Sequence, residues 1–170
     1  MKELHAGRYL RLVVRNGWEF VERPGIHGIV LVVAVTPGNR LLLVEQWREA
    51  VAANVLELPA GLAGDTESPA SEPLEEAARR ELVEETGWDA ATMERLAVGP
   101  PSAGVTSEIV TFFRARGLSK VGEGGGVEGE AITVHEVALA SVEAFLAERQ
   151  AEGVLVDPKV WAGLWFASRP

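Results

Sequence analysis

Glu72, Arg80, Glu81, Glu84 and Glu85 place four carboxylates and a guanidinium in a stretch of about four helical turns. At about 100° per residue, Glu81 and Glu85 fall on nearly the same side of a helix, with Glu84 about one residue's rotation away. Leu74, Ala77, Ala78 and Leu82 share that arc. Charges on a surface helix normally stand opposite its apolar stripe. Carboxylates on the core-facing side need a partner, because an unpaired charge there is costly. Hard divalent cations such as Mg²⁺ or Mn²⁺ meet that need with oxygen ligands. The plain alternative is an exposed helix laced with salt bridges.

These residues resemble the Nudix box, the signature of hydrolases that act on nucleoside diphosphates linked to another moiety. The family pattern is G-x5-E-x7-R-E-U-x-E-E-x-G-U, with U apolar. Glu72, Arg80, Glu81, Leu82, Glu84, Glu85, Gly87 and Trp88 fall in register with it. The leading glycine does not: Thr66 stands there, and Gly61 in "LELPAGL" is the equivalent, with about five extra residues in the loop 62–71. The resemblance implies the Nudix fold, an α+β arrangement in which a mixed β-sheet is sandwiched between α-helices (α/β/α).

The chain of 170 residues suits one domain spanning 1–170. A 47% hydrophobic and 24% charged composition is that of a soluble globular protein. No cysteine is present, which excludes disulfides and thiolate metal sites. No apolar run approaches a membrane span, and "MKELHAGRY" lacks the apolar stretch of a signal peptide, so a cytoplasmic location is expected. The net charge of −9 argues against general nucleic-acid or anionic-membrane binding. An acidic chain that binds a diphosphate must set cations between the two, and the acidic helix then reads as a metal platform.

The elements that would hold this helix are legible in outline. Two short strands flank Asn16-Gly17, a strong hairpin turn within residues 1–25. The valine-rich run Gly28 to Thr36 reads as a central strand, "RLLLVEQW" from Arg40 as the next, and "NVLELP" as another. The helix is expected from about Pro73 to Thr86, with Gly87 at its left-handed C-terminal position. Further strands are expected over Met93 to Val98, Ile109 to Arg116 and "AITVHEVALA". Helices are expected over Ser141 to Glu152 and Asp157 to Ser168, and Lys120 to Glu130 is a glycine-rich acidic loop. Mixed strands with a few helices indicate an α+β or three-layer α/β/α domain.

Segments outside the box resemble the ADP-ribose pyrophosphatase branch of the family: "LLLVEQWREAV", "LELPAGL" and "SAGVTSE", the last with Ala103 where the branch has a marker proline. The resemblance implies that Glu81, Glu84 and Glu85, with the Ala60 carbonyl, hold Mg²⁺ or Mn²⁺, and that Arg80 orients the box carboxylates, supported by Glu72. It places a catalytic glutamate in "VEGEAITV", with Glu130 the better match and Glu128 the second. A box glutamate such as Glu84 is the remaining candidate for the base. Glycines suit a base that must swing over substrate. Ser107 and Glu108 fall in the branch's downstream loop, a substrate contact.

Other residues carry two readings each. Arg48 suits a phosphate or a base, or a surface ion pair with Glu45 or Glu49. Trp18 and Trp47 suit stacking on a base, or packing. Glu57 would accept a hydrogen bond from base or ribose, or join a cross-strand charged pair. His27 lies beside the first core strand, and its structural role is the simpler one.

The sequence thus points to a metal-dependent hydrolase of the pyrophosphate bond, with ADP-ribose giving AMP and ribose 5-phosphate. Another nucleotide sugar, a dinucleoside polyphosphate or a dinucleotide cofactor presents the same diphosphate, and a non-catalytic nucleotide sensor is the alternative outside enzymes. A homodimer is expected, as in that branch, because an isolated apolar hairpin is marginal in water and needs covering.

Overall fold

In the computed structural model, residues 1–64, 72–127 and 129–169 are described. The inserted loop from 65 to 71 and Glu128 lie outside the described residues. Three strands open the chain: β1 (Lys2–Ala6), β2 (Arg11–Arg15) and β3 (Trp18–Glu22). They are followed by β4 (Gly28–Ala34), β5 (Arg40–Arg48), β6 (Ala53–Glu57) and β7 (Ala60–Ala63), then helix α1 (Leu74–Thr86). Two long strands, β8 (Trp88–Gly99) and β9 (Val110–Lys120), lead to β10 (Thr133–Ala138). The chain closes with α2 (Val142–Ala151), β11 (Leu155–Val156) and α3 (Pro158–Ala167).

Two four-stranded mixed sheets carry the site, ordered β7-β4-β9-β8 and β10-β5-β6-β11. β4 and β9 run parallel, while β7 and β8 pair antiparallel at the edges. A bridge between Val35 and Leu41 links β4 to β5.

Strand alternation makes these sheets two-faced. On β4, Val30, Val32 and Ala34 point to one cluster, and Leu31 and Val33 to the other. Leu42 joins the first cluster, whereas Leu41 and Leu43 join the second. A strand apolar at every position is therefore needed, which is what "GIVLVVA" supplies. Helix α1 covers the first face with Ala77, Ala78 and Leu82, all fully buried against Val30, Val32 and Phe113. The second face takes Val142 and Leu146 of α2 and Val160 of α3. The result is the helix–sheet–helix layering that the family resemblance implies. Among the described residues, no helix is long and apolar enough to cross a membrane.

The expected N-terminal hairpin is present as β2–β3, with Asn16 at φ 52 and Gly17 at φ 82 in the turn. It is not two-stranded: β1 adds to β2 and makes a three-stranded antiparallel sheet. Only Val13 of this sheet is deeply buried, while Leu4 and Trp18 are exposed. The outer edge of β3 pairs with the downstream loop, the Val21 amide donating to the Val105 carbonyl at 2.8 Å and the Ser107 amide to the Val21 carbonyl at 3.1 Å.

β8 and β9 run well beyond the expected segments, because the polar residues Thr92 and Arg116 or Asp89 and Ser119 face each other and extend the ladder past its apolar middle. β7 and β11 are new to the sequence reading. "AGLA" has no strand pattern of its own and becomes one by pairing with Gly28 to Leu31. Because Leu82 is fully enclosed between α1 and the sheet, Leu82→Ala should cost about 2–5 kcal/mol in a urea titration. A loss below about 1 kcal/mol would mean that this helix face is not the packed one.

Candidate active site

The site begins with what α1 cannot avoid. Glu81 and Glu85 sit on the same face as Ala77, Ala78 and Leu82 and are themselves buried. The Glu81 carboxylate lies directly over Gly61 of β7, where a Cβ would overlap it. That explains why a glycine stands at this position and not at 66. The Glu85 carboxylate accepts the Ala60 amide at 2.9 Å. Burial pushes its pKa up to about 8; the Ala60 amide and Arg48 oppose the rise, and the charges of Glu81 and Glu130 add to it.

Arg80 supplies the compensating cation. Its Nε donates to Glu72 at 2.9 Å, and its Nη1 donates to Glu81 at 2.8 Å and to Glu84 at 3.1 Å. A further bond from Nη2 reaches the Leu62 carbonyl at 3.1 Å. Burial alone would lower the Arg80 pKa, but the bond to Glu72 and the charges of Glu81, Glu72 and Glu84 raise it. The same bond from Arg80 holds the Glu72 carboxyl below its ordinary value. The Glu72 backbone carbonyl contacts His27 Nε2 at 3.0 Å, which gives His27 a structural role.

The far end of α1 meets the glycine-rich segment. Gly87 takes φ 69 and its amide closes the helix on Val83. The carbonyls of the last turn, which a helix leaves without partners, are then met by this segment. Gly125 donates to Glu85 at 2.8 Å, Gly126 to Glu84 at 3.0 Å, and Lys120 Nζ to Thr86 at 3.0 Å. A Cβ on Gly124 or Gly87 would collide with backbone across this contact. The glycines therefore allow two backbones to touch. Glu130 follows this strap, and its Oε2 accepts the Val127 amide at 3.1 Å.

These elements close around a cleft of about 440 Å³. Glu81, Glu85, Glu130, Ala60 and Gly61 line its acidic side. Arg48 and Glu57 line it too and form an ion pair at 2.7 Å, so Arg48 pairs with neither Glu45 nor Glu49. Glu108 also lines it, held by Arg23 at 3.0 Å.

Other expected residues stand elsewhere. Glu84 is outside the cleft lining, turned to the outer side of α1 with Arg79 and Arg80. Trp47 is 53% exposed and shares the face of Leu43, opposite to Arg48 along β5. Trp18 is 63% exposed and donates from Nε1 to the Gly104 carbonyl at 3.0 Å. Ser107 lines a small neighbouring cavity that also touches Arg23 and Glu108.

Arg23, Gln46 and Lys159 line the cleft without having been singled out in the sequence. Lys159 arrives because Asp157 caps α3, accepting the Lys159 amide at 2.7 Å, and the two side chains also pair. "DPK" signals a helix start, but nothing local says where that start will point.

The donor set fits a hard divalent cation. Buried carboxylate oxygens converge on the cleft, and burial, with a smaller contribution from the charges of Glu81 and Glu130, makes the ionised form of Glu85 costly there. Among the described residues no three His, Asp or Glu side chains form a ready-made ligand group, since Arg80 engages both Glu81 and Glu84.

Sequence comparison agrees with this geometry. The family model for the NUDIX domain matches residues 25–156. A methanol dehydrogenase activator from Bacillus methanolicus is 32% identical over 88% of this chain and 82% of its own. An ADP-ribose pyrophosphatase from Bacillus subtilis (strain 168) is 36% identical over 71% of this chain, which spans 62% of that protein. A GDP-mannose pyrophosphatase from Yersinia enterocolitica is 33% identical over 72%, with 65% of that protein spanned. The chain thus covers less than two thirds of these last two. A crystal structure of an ADP compounds hydrolase shares the fold at a TM-score of 0.65 and 21% identity, covering 86% of this chain and 80% of the other. The chain belongs to the Nudix family. Its class is that of the Nudix pyrophosphohydrolases.

The Glu85 pKa has a consequence for the metal-free protein. Between about 4.5 and about 8 the folded chain keeps a proton that the unfolded chain has released. Stability should therefore fall as pH rises through that window. Melting curves in chelator should show a falling Tm from about pH 5 to about pH 8, with the slope reduced in Glu85→Gln and Mg²⁺ most stabilising at the upper end. Equal slopes for both proteins would place the buried charge elsewhere.

Proposed function

We propose that this chain hydrolyses the diphosphate of ADP-ribose-like nucleotides, giving AMP and ribose 5-phosphate from ADP-ribose itself. The observation that carries the reading is the convergence of Glu81, Glu85 and Glu130 on one cleft that also holds Arg48, Glu57 and Glu108. Glu81 and Glu85, with Glu84 released from Arg80 and the Ala60 carbonyl, would hold Mg²⁺ or Mn²⁺. The metal supplies charge neutralisation at the diphosphate and acidifies the attacking water.

This chain's own residues do the rest. Arg80 keeps the box carboxylates aligned from behind. Glu130, at the edge of the same cleft, takes the proton of the attacking water. Arg48 and Glu57 hold the nucleoside side, and Arg23 with Glu108 the distal sugar. The ADP-ribose and GDP-mannose pyrophosphatases among its relatives set the substrates to test first. A cysteine-free, acidic composition supports a cytoplasmic location.

Purified protein should be given ADP-ribose, GDP-mannose, dinucleoside polyphosphates and dinucleotide cofactors, with Mg²⁺ or Mn²⁺ and a phosphatase to release phosphate from the products. ADP-ribose should turn over fastest. No turnover of any of them with either metal would favour a nucleotide sensor. Glu130→Gln should lower kcat by roughly 10²–10⁴ with KM little changed. If only Glu128→Gln is slow, the base lies two residues earlier; if neither is slow, it lies on α1.

We also propose a homodimer that covers the N-terminal sheet. Leu4, Tyr9, Leu10 and Trp18 leave that sheet with an apolar, exposed surface. Its docking on a second subunit would bring Trp18 of one chain toward the cleft of the other, where a base can stack. Light scattering at micromolar concentration should give twice the chain mass, and a monomer would refute the assignment.

A further inference from the structure

A second cavity, of about 290 Å³, opens at the other end of the sheet from the cleft. It lies between Val33 of β4 and Val35 just after it, and Arg114 and Arg116 of β9, with Leu139 and Arg169 closing it. β9 places Val110 in the cleft and Arg116 here, six residues or roughly 20 Å further along the strand. Arg114 and Arg116 alternate onto the same face as Phe112, which is why both reach the α3 side.

The cavity has a sign opposite to the rest of the chain. The chain carries a net charge of −9, yet among the described residues three arginines and no carboxylate line this cavity. Arg114 is deeply set, with its Nη2 donating to the Phe166 carbonyl at 3.0 Å. Arg116 donates from Nε and Nη2 to Glu94 Oε2 at 3.2 and 3.1 Å. Arg169 lies over the Trp165 ring, 3.7 Å from its centroid, and donates to the Trp165 carbonyl at 3.3 Å. Glu94 stands outside the lining and is also 3.6 Å from Arg114. Among the described residues, Glu94 is the one carboxylate that meets these guanidiniums, and each guanidinium has five N–H donors, most of them unused by the contacts given above.

We propose that this cavity is a binding site for a phosphate group, carried as inorganic phosphate or as a phosphate monoester. A cluster of guanidiniums matches phosphate oxygens in charge and in fork geometry. The volume, near the lower end for small-molecule sites, exceeds what a bare oxyanion needs, and Val33, Val35 and Leu139 form an apolar wall beside the arginines. Both features favour a monoester with a small organic part. The site is separate from the cleft and does not depend on the reaction proposed there.

The test is calorimetric titration of the full chain, without added divalent ion, by inorganic phosphate, ribose 5-phosphate and AMP in turn. The variants are Arg116→Gln, Arg169→Gln and their combination, with Arg116→Lys as the charge-retaining control and a melting curve to verify folding. Wild-type protein should bind at least one of the three, more weakly as salt rises. The double variant should lose roughly tenfold or more in affinity, and Arg116→Lys should lose less. Tighter binding of either monoester than of phosphate assigns the organic part to the apolar wall, while equal binding assigns the site to free phosphate. No binding by the wild type, or unchanged affinity in the folded double variant, would overturn the proposal.

Discussion

Two carboxylates that must lie on the inner face of a helix govern much of what surrounds them. Glu81 and Glu85 occupy the arc that also carries Ala77, Ala78 and Leu82, and the helix cannot bury one set without the other. Each environment is then forced. Glu81 requires a position with no Cβ beneath it, which Gly61 provides. Glu85 requires a donor, which the Ala60 amide provides. β7 is the strand that brings both to α1, and its pairing with β4 ties that geometry to the central sheet. Arg80 sits behind and binds three glutamates at once, which keeps their mutual repulsion from spreading α1 from the sheet.

The same helix also determines where the loop carrying Glu130 lies. A helix end presents carbonyls that need donors, and backbone amides of a glycine-rich segment can approach them more closely than any segment with side chains. Gly125 and Gly126 bond to the carbonyls of Glu85 and Glu84, so the helix with the expected metal ligands is tied to the segment that leads to Glu130. The cleft's cations are constrained in a similar way, Arg48 by Glu57 and Arg23 by Glu108, so a polyanion entering would exchange existing ion pairs and gain less than bare charges suggest.

Charge is arranged along β9 as well as around α1. Glu57, Glu81, Glu85, Glu108 and Glu130 gather in the cleft at one end of this strand, and three arginines line the cavity at its opposite end. Because β9 is hydrogen-bonded on both sides, to β4 and β8, the two ends are joined by rigid sheet.

The sequence alone determined what depends on short-range periodicity. The position of α1, its stop at Gly87 and the shared arc of Glu81 and Glu85 follow from 3.6 residues per turn. β4 and β5 follow from apolar runs too dense for an edge strand, and the hairpin turn from Asn16-Gly17. Long-range pairing decided the rest. Lys2–Ala6, Ala60–Ala63 and Leu155–Val156 are strands because a neighbour offers a ladder, and no local pattern reports that. One residue of alternation turns Trp47 away from the face that holds Arg48, and Glu84, about one residue's rotation from Glu81 and Glu85, lies on the side of α1 with Arg79. Arg23, Glu57, Glu108 and Lys159 meet only because β3, β6, the loop before β9 and α3 converge in space. Spacing along a chain can specify which groups share a side of one helix or strand. Which sides then face each other is decided by burial of the two apolar clusters, a property of the whole fold.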